Sequence, residues 1–109
     1  MSFALTTKQI KTKQKTVTRR GGWLFLKPGD LLQPVVKGMG LKKGEKVEKI
    51  GDLIQVVSVR REPVATIDRA DCFREGFGHL EPAEFTSFYC RESKCDPFDL
   101  CTRIEFEYV

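Results

Sequence analysis

Alternation between hydrophobic and polar positions predicts the strands of this chain. Residues 102–109 alternate most cleanly, which places one set of apolar side chains on a single face of a closing strand. That set is Ile104, Phe106 and Tyr108. Residues 53–64 are rich in β-branched side chains and predict the longest strand, a core element. Shorter strands are predicted at 3–5, 16–20 and 31–36.

Helical spacing and end signals predict three short helices. The first begins at Thr6 or Thr7 and ends at Lys13, and the threonine and glutamine at 6 and 9 have the spacing of a capping box. A second helix covers residues 68–75 and stops at Gly76. A glutamate and a proline at 81–82 open the third, which carries aromatic residues at helical spacing.

Short strands, a few short helices and no βαβ rhythm together predict an α+β fold with a curled or barrel-like sheet. The chain has 109 residues, which suits a single domain over 1–109 with one site. The Gly- and Lys-rich segment 37–49 is predicted to be an exposed loop. No apolar run is long enough for a membrane helix, and residues 1–20 lack the apolar centre of a secretory signal. We therefore expect a cytoplasmic protein with no membrane partner.

Basic residues are concentrated at the start of the chain. Residues 1–29 hold seven Lys and Arg and no acidic residue, whereas the remainder holds twelve basic against fifteen acidic residues. Such asymmetry creates a positive field that attracts polyanions, so nucleic acid is the natural partner. The alternative is a solvated lysine-rich face that only confers solubility.

The cysteines favour free thiols over a metal site. They stand at Cys72, Cys90, Cys95 and Cys101, and their spacings lack the two-residue knuckle that grips zinc. A chain without an export signal keeps its thiols reduced. His79 is the only histidine and has no local pattern that supports a cysteine–histidine pair. We expect no metal and no cofactor.

The densest group of chemically useful side chains is the KTVTRR segment at 15–20. Strand alternation places Thr16, Thr18 and Arg20 on one side and the remaining three residues on the other. A threonine hydroxyl becomes a nucleophile only when a base removes its proton, and a lysine acts as that base only if burial lowers its pKa. Without further evidence, such a segment is more typical of a phosphate-binding edge.

The chain resembles the ASCH family of the PUA-like superfamily over nearly its whole length. Four segments carry the resemblance in order, namely KTVTRR at 15–20, KPGD at 27–30, EGF at 75–77 and TRIEF at 102–106. The resemblance implies a PUA-like curled sheet or small β-barrel with two or three flanking short helices. It also implies a cleft between barrel and helices that binds RNA or a modified nucleoside.

Function varies within that family. Some small bacterial members are amidohydrolases that remove the acetyl group from N4-acetylcytidine, and their catalytic positions match Lys15, Thr18 and Glu75 here. In that scheme Thr18 attacks the amide carbonyl, Lys15 takes its proton or steadies the oxyanion, and Glu75 delivers a proton to the leaving amine. Other members are described as ribonucleases or as binding modules. Non-catalytic roles also stay open: Lys15 could bind phosphate, Thr18 could satisfy a strand edge, and Glu75 could neutralise Arg19 or Arg20.

Binding residues are expected around the same segment. Arg19, Arg20 and Lys13 would hold phosphate, while Trp23 would stack on a base. Trp23 fits equally well as a half-buried aromatic packed against Phe25. The long Gly/Lys loop and the segment between the last three cysteines depart from the small amidohydrolases and leave the substrate open. We expect the protein to act as a monomer.

Overall fold

The computed structural model describes residues 1–38 and 43–109 of the chain. Its helices and strands, in chain order, are α1 (Thr7–Lys11), β1 (Val17–Arg20), β2 (Leu31–Leu32), β3 (Ile54–Pro63), α2 (Arg69–Arg74), α3 (Pro82–Ser93) and β4 (Leu100–Tyr108). Short 3₁₀ turns at Ala4–Thr6 and Val64–Thr66 precede α1 and α2. No helix in the described ranges is long and apolar enough to cross a membrane. The middle of the predicted 37–49 loop, residues 39–42, lies outside the described residues.

The strands form one antiparallel sheet in the order β1-β4-β3-β2. The β3–β4 ladder is the longest, and its register shifts between Val56 and Ser58. A bulge of this kind bends the bulged strand and increases its local twist, which helps the sheet to curl around its core. The predicted α+β fold, a curled sheet flanked by short helices, is confirmed.

One face of the sheet carries the main core. Alternate residues of the two long strands, Ile54, Val56, Ile104 and Phe106, are at most 2% exposed. Phe3 covers the end of this row, with its ring centroid 6.1 Å from that of Phe106. Each such side chain contributes about 1.5–3 kcal/mol on full burial. The alternation that predicted β3 and β4 therefore reflects real burial.

A second cluster joins α2 to α3. Ile67, Cys72 and Phe85 pack together there, and α3 begins with a capping box formed by Glu81 and Glu84. Asp68 caps α2, because its Oδ1 accepts the backbone N–H of residue 71 at 2.7 Å. Both helices therefore begin where their sequence signals predict.

The N-terminal predictions are partly wrong. Residues 3–5 form no strand, since only Ser2 bridges to Val35 and the chain then enters a 3₁₀ turn. Thr6 makes no side-chain cap, and α1 ends at Lys11 rather than at residue 13. The predicted 31–36 strand shortens to two residues plus the Val35 bridge. Burial of Phe3 against Phe106, followed by the turn that begins at Ala4, accounts for the missing strand at residues 3–5.

Gly76 is required by the turn that ends α2. Its φ is +90°, and an added Cβ would stand 2.8 Å from Gln9 Cγ. Gly76→Ala should lower the free energy of unfolding by at least about 1–2 kcal/mol, because left-handed backbone is costly for L-residues. Urea unfolding would measure the loss.

The matched control is Gly22→Ala, since a Cβ at Gly22 meets no atom within 4 Å. Equal effects of the two substitutions would show that the turn at Gly76 imposes no special constraint.

Candidate active site

A cleft with a volume of about 320 Å³ opens between β1, the end of α2 and α3. Its polar wall contains the three residues that the family resemblance singles out, Lys15, Thr18 and Glu75. Each of these side chains belongs to a residue at most 3% exposed. The sheet and α2 thus bring together residues that are 60 positions apart in the sequence.

Lys15 and Glu75 form a buried ion pair at the base of the cleft. Lys15 Nζ donates to Glu75 Oε1 at 2.7 Å and to the Glu75 backbone carbonyl at 2.6 Å. Tyr108 Oη donates to the Lys15 carbonyl at 2.5 Å, which ties this segment to β4. Glu75 is the C-cap of α2, so the turn at Gly76 also fixes its backbone. The backbone of each partner in the ion pair is therefore fixed by a separate contact.

Burial lowers the pKa of Lys15 below its usual value, and the positive charges of Arg20 and Arg19 lower it further. Glu75 opposes the shift, because a carboxylate favours the charged amine. A lysine in this setting deprotonates more readily than a solvated one and is better suited to act as a base.

Thr18 is held by an arginine rather than by the lysine. Its Oγ1 accepts a hydrogen bond from Arg20 Nε at 3.1 Å, and in the described residues no direct bond links it to Lys15 or Glu75. Arg20 is itself fixed by donation to the Ser2 carbonyl at 2.6 Å and lies 4.9 Å from the Phe3 ring centroid. Because Thr18 accepts from Arg20, its own O–H remains free to donate.

Aromatic side chains form the apolar wall of the cleft. They are Phe3, Phe77, Phe85, Phe88 and Tyr89. Phe77 lies at the centre of this group, with its centroid 5.7 Å from that of Phe85 and 5.2 Å from that of Phe88. Burial raises the pKa of Tyr89 to about 12, so its hydroxyl stays protonated. A planar, partly apolar ligand would match this wall.

Arg19 points into a network of carboxylates instead of toward solvent. Its guanidinium donates to Asp71 at 2.6 Å and to Glu75 and Glu62 at 3.2 Å each. Arg19 is 4% exposed. Although burial works to lower it, Glu75 and Asp71 raise the Arg19 pKa. The phosphate contact expected for Arg19 does not match this arrangement, because carboxylates already occupy its terminal nitrogens.

Asp71 and Arg103 complete this network and were missed by sequence reasoning. Arg103 makes a two-pronged contact with the Asp71 carboxylate at 2.7 and 2.9 Å. Strand alternation places Arg103 opposite the apolar face, yet it is only 5% exposed. The signal that could have found them is the arginine pair that antiparallel pairing of β1 with β4 places side by side, Arg19 opposite Arg103, since two neighbouring buried arginines require a carboxylate partner.

The other predicted binding residues lie outside the cleft lining. Trp23 is half-buried and packs on Phe25 at 5.5 Å between centroids, beside the Leu26 cluster. Lys13 is exposed and borders a smaller depression near Tyr108. Of the four residues proposed to bind ligand, Arg20 and Arg19 line the cleft.

The cysteines are free thiols in the structure. Cys72 and Cys101 are buried, whereas Cys90 and Cys95 are half-buried with their sulfurs 3.5 Å apart. Within residues 1–38 and 43–109, no three metal-binding side chains converge. Burial raises the pKa of Cys72 and Cys101, which suits packing roles.

Asp71 should make the fold sensitive to acid. Burial works to raise its pKa, but hydrogen bonds from Arg103, Arg19 and Arg74 hold it below its usual value. The stabilisation is therefore complete above the unfolded-state pKa of about 3.9 and is lost as the pH falls below it. Urea unfolding between pH 5 and pH 2 should show a loss in the wild type that steepens below about pH 3.9 and a flatter curve in Asp71→Asn. Parallel curves would contradict this assignment.

Comparison with known proteins identifies the fold. No family model and no curated protein matches the sequence. Among solved structures, an ASCH domain from Lactobacillus crispatus aligns with a TM-score of 0.65 and 18% identity, covering 94% of this chain and 69% of that one. A DUF984 protein from Enterococcus faecalis aligns with a TM-score of 0.64 and 16% identity, covering 96% of this chain and 70% of that one. The chain therefore has an ASCH-like fold.

Proposed function

We propose that the cleft binds a cytidine whose exocyclic N4 carries an acyl group, and that it hydrolyses this amide. One observation carries the proposal. A buried lysine paired with a glutamate lines the same cleft as a threonine whose hydroxyl oxygen is already held by an arginine. In the proposed scheme these side chains supply the nucleophile, the base and the orienting group within one cleft.

In the first step, Thr18 Oγ would form a bond to the acyl carbon. Its proton would pass to the neutral amine of Lys15, directly or through one water, and the carbonyl oxygen would take up the electron pair. Arg20 would orient the nucleophile, because its Nε–H donates to Oγ and leaves the hydroxyl proton of Thr18 available for transfer. A lowered Lys15 pKa favours this role.

In the second step, the carbon–N4 bond would break as the tetrahedral centre collapses. The leaving N4 would receive a proton from the Lys15–Glu75 pair and depart as the amino group of cytidine, leaving an acyl ester on Thr18. A water would then attack this ester and give its proton to the same pair. The acyl carbon–Oγ bond would then break, Thr18 Oγ would take that proton back from the pair, and the carboxylic acid would leave and lose its remaining proton to solvent.

The size and lining of the cleft support a single nucleoside as ligand. A volume of about 320 Å³ lies at the lower end of typical small-molecule sites. The aromatic wall offers stacking to a pyrimidine ring, while the ion pair offers donors and acceptors to its exocyclic edge. Glu92 is exposed and lines the same cleft, where its carboxylate would accept hydrogen bonds from ribose hydroxyls.

The direct test is release of cytidine and acetate from N4-acetylcytidine. Thr18→Val keeps the shape of the side chain and removes the nucleophile, whereas Lys15→Met and Glu75→Gln remove the base and the proton carrier. Each should lower kcat/KM by at least about a hundredfold. Activity should also rise with pH through the Lys15 pKa, since the base acts in its neutral form.

Matched controls are Thr12→Val and Lys46→Met, because both residues are exposed and lie outside the cleft. They should retain wild-type activity. Equal rates in wild type and Thr18→Val, with the fold preserved, would reject the hydrolase proposal in favour of a binding module.

Binding of RNA is a second candidate function. The observation in its favour is the exposure of Lys8, Lys11 and Lys13, which lie in or just after α1 and immediately before the cleft-lining Lys15. These three residues are better placed for phosphate contacts than Arg19, because their charges face solvent. Such contacts give affinity that falls with salt and carries little sequence preference.

Labelled single-stranded RNA, titrated at two salt concentrations, would measure this function. Replacing the three lysines by alanine should weaken binding and reduce the dependence of log Kd on log salt by about two to three units. A triple variant at Lys43, Lys46 and Lys49 removes the same charge elsewhere on the surface. If both variants bind alike, the N-terminal lysines do not form the RNA site.

A further inference from the structure

We propose that Asp71 and Arg103 are positioning residues of the active site, which act on the Lys15–Glu75 pair through Arg19. The inference rests on the proposed function, since it assigns residues that set the geometry and charge of its base. Neither residue lines the cleft, so neither would touch the substrate.

Ionic contacts of alternating charge connect the two sites. Arg103 Nε donates to Asp71 Oδ2 at 2.7 Å, and the same oxygen accepts from Arg19 NH2 at 2.6 Å. Arg19 NH1 donates to Glu75 Oε2 at 3.2 Å, and the other oxygen of Glu75 accepts from Lys15 at 2.7 Å. Each carboxylate is thus held by cations on both sides, which fixes its rotamer and its distance to the next group.

A second cavity surrounds the far end of this chain of contacts. It has a volume of about 300 Å³ and is lined by polar residues, among them Asp71, Arg103 and Arg74. Arg19 lines both this cavity and the cleft, so its guanidinium forms part of the wall between them. A substitution at Asp71 or Arg103 would therefore leave the cleft lining intact and act on the base from behind it, through its contact with Arg19 and through its change in charge.

The charge on Lys15 depends on the groups that face it from every side. Glu75 favours its protonated form, whereas Arg19 and Arg20 disfavour it. Phe77, with its centroid 5.8 Å from Nζ, and Tyr108, bonded to the backbone carbonyl, are uncharged neighbours. Asp71 and Arg103 lie behind these groups and carry opposite charges. Removing the Asp71 charge should therefore shift the Lys15 titration in one direction, and removing the Arg103 charge should shift it in the other.

The signs follow from Coulomb interactions. Asp71→Asn removes a negative charge, which makes protonated Lys15 less favourable and shifts the acid limb of the kcat/KM profile to lower pH. Arg103→Gln removes a positive charge and shifts that limb to higher pH. Each shift should be on the order of half a pH unit, and the double variant should lie between them. If Asp71 and Arg103 had a purely structural role, both variants would lose activity without shifting the pH profile in opposite directions.

The experiment has two readouts. The first is the pH profile of N4-acetylcytidine hydrolysis for the wild type, Asp71→Asn, Arg103→Gln and the double variant. The second is an NMR titration of the side-chain carbons of labelled lysines, in which the Lys15 signal is assigned by its absence in Lys15→Met. Lys27→Gln is the control, because Lys27 is exposed and it and its partner Asp30 lie outside the cleft lining and outside this chain of contacts. It should leave both readouts unchanged.

The outcomes separate the two proposals. Opposite shifts in both readouts support the positioning role, and shifts in the NMR titration without any hydrolysis would reject the proposed function alone. Identical or absent shifts for Asp71→Asn and Arg103→Gln would overturn the positioning role. If Asp71→Asn fails to fold, the comparison rests on Arg103→Gln against Arg103→Lys, which should return the titration toward the wild-type value.

Discussion

The buried pair of Lys15 and Glu75 is the interaction on which the rest of the site depends. Two charges removed from water are costly unless their remaining donors and acceptors are satisfied. Here the second carboxylate oxygen of Glu75 accepts a hydrogen bond from Arg19. The Lys15 amine also donates a hydrogen bond to the backbone carbonyl of Glu75. The turn at Gly76, the Tyr108 contact and the register of β1 against β4 all keep these partners in place. The geometry of this ion pair therefore depends directly on the fold.

The sheet separates two environments around this pair. On the cleft side, Lys15 is buried behind an aromatic wall, and this burial disfavours its charged form. On the other side, arginines and carboxylates balance each other in a polar cavity. Arg19 lies between the cleft and the polar cavity, because alternation along β1 points its side chain away from those of Thr18 and Arg20. Three consecutive residues of β1, Thr18, Arg19 and Arg20, thus line the cleft, and Arg19 also lines the polar cavity behind it.

The sequence predicted the strands and helices that have a clear hydrophobic periodicity. It failed where tertiary contacts determine the local structure. The strands β3 and β4 and the capped helices α2 and α3 were found, because alternation and capping residues are local signals. The strand expected at residues 3–5 was wrong, since burial of Phe3 against Phe106 is a long-range event. The grouping of Lys15, Thr18 and Glu75 came from family resemblance, whereas the roles of Asp71 and Arg103 needed coordinates. The polar face of β4 carries Arg103, which is buried by its ion pair with Asp71. The sequence of β4 alternates in the same way as that of a strand whose polar face is exposed to solvent, so the pattern does not distinguish the two cases.

The central claim is that Thr18 is a nucleophile, and trapping its acyl ester tests this most directly. Wild-type enzyme, mixed with saturating N4-acetylcytidine and quenched in acid within the first turnovers, should carry the ester. Intact and peptide mass spectrometry should then show one added acetyl group on Thr18, absent from Thr18→Val treated in the same way. Turnover of N4-acetylcytidine by Thr18→Val, or an acetyl group on another residue alone, would contradict the account.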